Sequence, residues 1–330
     1  MNLAVLCREP SSYESLTLEE VPVQALGADD VRVEIYAAGI NFPDILMSAG
    51  KYQLKPSLPF TPGMEAAGII CELGANVRTY QLGDRVMFRA WHGCYAQQAI
   101  VPEAELLPVP KNFSFAEGAA FIVATATATN ALLQRGQLKP GEVLLVHGAA
   151  GGVGLAAVEV GKLLGATVIA TASSAEKLAI AQDRGSDHLI NYKQENFQAR
   201  VMELTGGKGA DVILDTVGGE VFEQSMRCIA WGGRLLVVGF AGGVIPQIKM
   251  NQPLLKCFSI VGVRAIEHAK QNPEEGQAYR QWMLHWANQG RLRPHISKVF
   301  PLEQYQDAMR LLATRQAVGR VVLEVRAEQV

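Results

Sequence analysis

The stretch Val143-Leu-Leu-Val-His-Gly148 runs directly into Ala149-Ala-Gly-Gly-Val-Gly154, a buried-strand pattern that turns through small residues into a helix. Apolar spacing from Leu155 to Leu164 predicts that helix. Because the turn carries almost no side chain larger than a methyl, its backbone N–H groups can approach an anion closely, where the helix dipole also favours negative charge. The pattern is A-x-G-x-x-G, with Ala149 where the dinucleotide fingerprint usually has its first glycine and with Gly151 and Gly154 in place. Ala150, Gly151, Gly152 and Val153 are the residues expected to cradle a diphosphate. The usual acid about 20 residues on, which binds the ribose 2′-hydroxyl of NAD, is missing. Instead the strand Thr167-Val-Ile-Ala-Thr-Ala172 ends in Ser173-Ser174, and the next ionisable groups are Glu176 and Lys177. With no carboxylate to repel a 2′-phosphate, NADPH is favoured over NADH. Lys177 would be its cationic partner, and Ser173 and Ser174 its hydroxyl donors.

These residues need a parallel sheet to hold them. After Thr125 the sequence alternates strand-length and helix-length segments, which predicts one. Strands are expected near Val143–His147, Thr167–Thr171, His188–Asn191, Asp211–Asp215, Arg234–Val238 and Phe258–Val261. Two amphipathic segments, Glu274–Gln289 and Pro301–Thr314, read as helices, and Arg320–Val325 as a closing strand. Before residue 124 the pattern is different: short runs such as Val31-Arg-Val-Glu-Ile35 and Ala67-Gly-Ile-Ile-Cys71 are separated by turn residues, as in an all-β domain with few helices.

The chain's 330 residues, 49% hydrophobic and 19% charged, suit two globular domains better than one large core. No apolar run reaches the ~18 residues of a membrane helix, and the opening Met1–Pro10 is too short in apolar residues for a secretory signal. A cytoplasmic protein is expected. Its five cysteines, Cys7, Cys71, Cys94, Cys228 and Cys257, are scattered without a C-x-x-C pair and read as reduced thiols. His92 and Cys94 lie close together but lack a third ligand, so no metal is expected there. A net charge of −2, with both signs interspersed, offers no basic stripe for nucleic acid.

Several further motifs occur in order: Ala38-Gly-Ile-Asn41 with Asp44 and Gly50-Lys-Tyr52, Pro62-Gly-Met-Glu-Ala-Ala-Gly68, Gly83-Asp-Arg-Val86, Pro140-Gly-Glu142, the turn at Ala149–Gly154, and Gly319-Arg-Val-Val-Leu323. Together they resemble the zinc-free quinone oxidoreductases of the medium-chain dehydrogenase/reductase superfamily over nearly the whole chain. The resemblance implies an α/β protein: a GroES-like catalytic β domain from residues 1–124 and 297–330, and a doubly wound Rossmann domain from 125–296 with a six-stranded parallel sheet. It implies a cleft in which Asn41 and Tyr52 face the nicotinamide and substrate, with Tyr52 the hydrogen-bond donor and Asp44 orienting its loop. Thr127 would touch the nicotinamide end. Tyr192 would lie against the 2′-phosphate, and the strand ends at Val217, at Gly239, Phe240 and Ala241, and at Arg264 would line the dinucleotide. Zinc-dependent relatives have cysteine where this chain has Asn41 and histidine where it has Met64; neither replacement is a normal zinc ligand.

Without a Lewis acid, a hydride acceptor must already be electrophilic. The expected activity is NADPH-dependent reduction of a quinone or similar conjugated acceptor by a small-molecule reductase, acting as a homodimer with no nucleic-acid or membrane partner. Reduction of an enone or enoyl thioester is the alternative in the same superfamily, and a non-catalytic NADPH-binding role, structural or RNA-binding, is the alternative outside it. Ser48 and Thr129, which replace the family's frequent arginine and tyrosine, are expected near the substrate.

Overall fold

A computed structural model describes residues 1–328, which divide into two compact units meeting at Val123/Ala124 and at Arg293/Pro294. The α/β architecture is the one the alternation predicted. In the first unit the central strand, Asp30–Ile40, buries Val31, Val33 and Ile35 completely, as its alternating sequence requires. Register shifts along its pairing with Glu65–Leu73 mark irregularities before Val33 and before Ala37. On its other edge it therefore pairs with two different strands: Gln98–Pro102 along Asp30–Glu34, and Arg320–Glu324 along Ala37–Ile40. Through Glu65–Leu73 the sheet continues to Arg85–Arg89 and Leu106–Pro108, and beyond Arg320–Glu324 it ends at Ile296–Pro301. The chain rejoins this unit at Pro294, slightly ahead of the expected residue 297. His295 is already committed there, its carbonyl accepting the Arg320 backbone N–H at 2.7 Å.

The second unit is a six-stranded parallel sheet in the order His188–Asn191, Thr167–Ala172, Val143–Val146, Ala210–Asp215, Ile229–Val237, Ser259–Gly262. The strand order reverses between Val143–Val146 and Ala210–Asp215, which creates the crevice where such sheets bind ligands. Leu144, Leu145 and Val146 are fully buried, as expected for a strand covered on both faces. The strand expected from Arg234 begins earlier, at Ile229, because a register irregularity lets its first residue pair with Ala210. The helix expected from Leu155 begins at Gly152, and that over Glu274–Gln289 is Pro273–Asn288. Pro301 still belongs to a strand, so the segment expected to be helical from there forms a short turn, Leu302–Gln304, and then the helix Tyr305–Ala313. Among the described residues no helix is long and apolar enough to cross a membrane.

Candidate functional site

In the second unit the head of the sheet carries the turn singled out by sequence. Gly148 takes φ +62, the left-handed conformation that favours glycine, and a Cβ there would lie 2.6 Å from Thr216 Oγ1. The tight turn thus falls on Gly148, which explains why the fingerprint tolerates alanine at Ala149. Gly154 packs against the strand end so closely that a Cβ would sit 2.2 Å from the Gly148 carbonyl oxygen and 2.7 Å from Ala149 Cα. Gly151 is different: it is exposed, and an added Cβ would meet only Gly148 O at 3.4 Å. It stands as N-cap of the helix Gly152–Leu163 with no side-chain cap, so the first-turn N–H groups, Gly152 and Val153 among them, face outward without a capping acceptor. Ala150 is buried beneath them.

The other strand ends flank this turn along the same edge of the sheet. After Thr167–Ala172, Ser174 caps the helix Ala175–Asp183, its Oγ accepting from Lys177 N at 3.3 Å. Ser173, Ser174 and Lys177 are all part-exposed, and Tyr192, following the adjacent strand His188–Asn191, is 46% exposed with its N–H on Ala172 O at 3.2 Å. The fourth strand ends at Asp215, whose buried Oδ1 accepts from Val217 N at 2.7 Å and Gly218 N at 3.0 Å and so shapes the Val217 loop. Burial pushes this carboxyl up, while those two N–H donors oppose the shift. The Gly239–Phe240–Ala241 loop is tied to its neighbour by Ala241 N donating to Thr216 O at 3.0 Å. Arg264, 64% exposed at the side chain, follows the sixth strand and lies 3.6 Å from Glu267. Thr127 lies on the helix Ile122–Thr129 and is part-buried.

Sequence reasoning missed a polar anchor beneath the turn. His147 is buried, with Nδ1 3.0 Å from Thr171 Oγ1 and Nε2 2.9 Å from Ser225 Oγ. Since Ser225 Oγ donates to Val221 O at 2.7 Å, it accepts from Nε2–H, and Nδ1 accepts from Thr171. Burial drives the His147 pKa down to about 3. A histidine directly after the apolar strand Val143–Val146 was the available signal.

The first unit gathers a second set of residues. Asn41 and Asp44 come from the start of the helix Phe42–Ser48, Glu65 from the first residue of its strand, Tyr95 from the loop after Arg85–Arg89, and Arg320 from the returning strand. All five side chains are buried. Glu65 Oε1 accepts from Arg320 through a very short contact and from Asn41 Nδ2 at 3.0 Å, and Oε2 accepts from Val123 N at 2.9 Å. Asn41 Nδ2 also reaches Gly39 O at 3.4 Å. Both amide protons of Asn41 therefore point inward, and its Oδ1 is an acceptor, not an oxyanion donor. Asp44 Oδ2 accepts from Tyr95 OH at 2.7 Å and Asn41 N at 2.8 Å, while Oδ1 has no hydrogen-bond partner. Burial raises Asp44 to about 7 against the opposing pull of those two donors. Tyr52 is part-buried, its ring packed against the unit's hydrophobic core. Ser48 is fully buried with Oγ donating to Asp44 O at 2.8 Å, and Thr129 is fully buried too. Glu65 and Arg320 each open a strand quoted among the sequence motifs, but nothing local in the sequence pairs them.

Residues 27–111 match the family model described as the alcohol dehydrogenase GroES-like domain, and residues 152–284 match that of the zinc-binding dehydrogenase. A quinone oxidoreductase-like protein 2 homolog of Nematostella vectensis is 39% identical over 327 residues, 98% of this chain and 89% of the relative. The structure of Escherichia coli quinone oxidoreductase complexed with NADPH superposes with a TM-score of 0.91 at 28% identity, covering 98% of this chain and 100% of that one. CurK enoyl reductase superposes with a TM-score of 0.89 at 28% identity, covering 98% and 99%. The second model's description implies a zinc ion, which the residues here do not fit. Asn41 is bonded to Glu65, which also holds Arg320, and among the described residues no three His, Cys, Asp or Glu side chains form a metal-binding group.

Proposed function

Because the chain belongs to the quinone oxidoreductase family of the medium-chain dehydrogenase/reductase superfamily, we propose that this oxidoreductase transfers hydride from NADPH to a quinone or similar conjugated acceptor without zinc. The observation that carries the reading is the uncapped helix N-terminus at Gly151, beside a second strand end that bears serines and a nearby lysine but no acid. The N–H groups around Ala150–Val153 hold the diphosphate, and Ser173, Ser174, Lys177 and Tyr192 hold the 2′-phosphate. Val217, Gly239–Ala241, Arg264 and Thr127 line the rest of the dinucleotide. When bound, the reduced nicotinamide supplies the hydride. Asn41 accepts a hydrogen bond through Oδ1, and Tyr52 donates to the oxygen on which negative charge develops. An acceptor that becomes aromatic on reduction needs no stronger activation.

Similarity to CurK enoyl reductase favours a second reading, reduction of an enoyl thioester. The two differ in proton demand, since only the enoyl reaction protonates carbon and needs a placed acid. NADPH oxidation measured against a panel of quinones, enones and enoyl thioesters separates them. For the quinone reading, Tyr52→Phe leaves quinone turnover within about tenfold of the parent, whereas loss of an essential acid costs about 10²–10⁴-fold. Silence across the whole panel, with NADPH still bound, would support a non-catalytic binding role.

We also propose a homodimer. Ser259–Gly262 is an outer strand of its sheet, and it follows a segment in which Met250, Leu254 and Leu255 are each more than two-thirds exposed. Pairing with the same strand of a second copy would satisfy both edges and cover that apolar surface. Sedimentation should give twice the chain mass, and Leu255→Asp should shift it toward the monomer.

A further inference from the structure

The buried cluster of the first unit contains two carboxyls and one cation. Glu65 takes Arg320 together with two N–H donors, which oppose the upward push of burial on its carboxyl and make it the charge-compensated member. Asp44 has no cation, only Tyr95 OH and Asn41 N on one oxygen, and its Oδ1 is buried without a partner. A carboxylate in that position would bury an uncompensated charge, and a carboxylic acid would not. Asn41 joins the two carboxyls, with its side chain on Glu65 and its backbone N–H on Asp44. The ionisable groups that face Asp44 from neighbouring elements are Tyr95, Glu65, Arg320 and the buried thiol Cys94.

We propose that Asp44 stores a proton in this cluster and gives it up when positive charge lies beyond Asn41, so that cofactor oxidation and proton release are coupled through a positioning residue that never touches the ligand. The coupling rests on the reading that Asn41 faces the nicotinamide. In the reduced form that ring is neutral, and in the oxidised form it carries one positive charge. Per turnover the electron pair leaves with the hydride. Asp44 loses only a proton, to solvent, as the charge appears, and regains one from solvent when the reduced form returns. A unit charge within about 10 Å at an effective dielectric near 20 shifts a carboxyl by roughly one pH unit. Ionisation of Asp44 also converts the Asn41 N–H bond into a charge-assisted one, firming the residue that meets the oxidised ring. The neutral tenancy of Asp44 at lower pH agrees with its upward displacement by burial.

The protonation itself is read without any cofactor, from the infrared carbonyl stretch of a protonated carboxyl between pH 5 and 9. The expected band fades through neutral pH and is missing from Asp44→Asn. Tyr95→Phe, which removes a donor that favours the charged form, should move the transition to higher pH and provides a second variant should Asp44→Asn fold poorly. Identical spectra for parent and Asp44→Asn at pH 5, or a Tyr95→Phe transition displaced to lower pH, would overturn the stored proton. For the coupling, the ratio of NADP⁺ to NADPH affinity cancels the shared titration of the 2′-phosphate. It should rise about tenfold across neutral pH in the parent and stay flat in Asp44→Asn. A parent ratio independent of pH overturns the coupling. Failure to bind either nucleotide overturns the cofactor reading and the coupling with it, while the infrared titration still decides whether Asp44 holds the proton.

Discussion

On the proposed reading, Lys177 is the residue on which the choice of NADPH turns. A charge-assisted contact to a phosphate contributes about 1.5–3 kcal/mol, roughly ten- to hundredfold in affinity. Lys177→Ala should weaken NADPH binding by that factor and leave NADH nearly unchanged, as fluorescence titration with the two nucleotides would read; equal losses would remove the assignment. The residue was legible in sequence because the missing acid after Ala172 is a local fact. Asn41 was legible as a position but not as a chemical group. Only the placement of Glu65 Oε1 3.0 Å from its Nδ2 turns it from a donor into an acceptor.

At the scale of the element, the strand–turn–helix from Val143 to Leu163 separates two uses of glycine. Gly154 meets backbone atoms that cannot give way, so Gly154→Ala should cost about 1–3 kcal/mol of stability, as overpacking against fixed neighbours does. Gly151 lies at φ −82 with room for a methyl. Gly151→Ala should leave the denaturation midpoint nearly unchanged, within about 0.5 kcal/mol, yet weaken NADPH binding because the methyl intrudes on the diphosphate. If Gly151→Ala bound NADPH as tightly as the parent, the phosphate role of Gly151 would fall. The fingerprint was readable in sequence, but the tight turn lay one residue earlier than the motif suggests, at Gly148, because φ is a property of the folded loop.

Over the whole molecule, two buried groups respond oppositely to pH. His147 in the second unit has its pKa depressed from the ordinary 6.5 to about 3. Its contribution to stability is therefore complete above pH 6.5 and is lost as pH falls toward 3. Asp44 in the first unit is raised from 3.8 to about 7, so its contribution is complete below pH 3.8 and is lost as pH rises through 7. Each changes stability by up to about 1.4 kcal/mol per pH unit within its window. Denaturation midpoints measured from pH 4 to 8 should show Asp44→Asn gaining on the parent as pH rises, and His147→Gln gaining on it as pH falls. Parallel curves for parent and variants would refute the buried titrations.

The sequence by itself determined the strand–helix alternation, the parallel sheet that such alternation builds, the glycine-rich turn after Val143–Val146 and the lack of an acid at the end of Thr167–Ala172. All of these depend on residues near one another in the chain, where periodicity and spacing act directly. The tertiary structure alone decided which charges meet: Arg320 reaches Glu65 across most of the chain length, Tyr95 reaches Asp44, and His147 joins Thr171 to Ser225. Buried polar groups take whichever partners the packed elements bring within about 3 Å, and that proximity is created by folding and written in no local pattern.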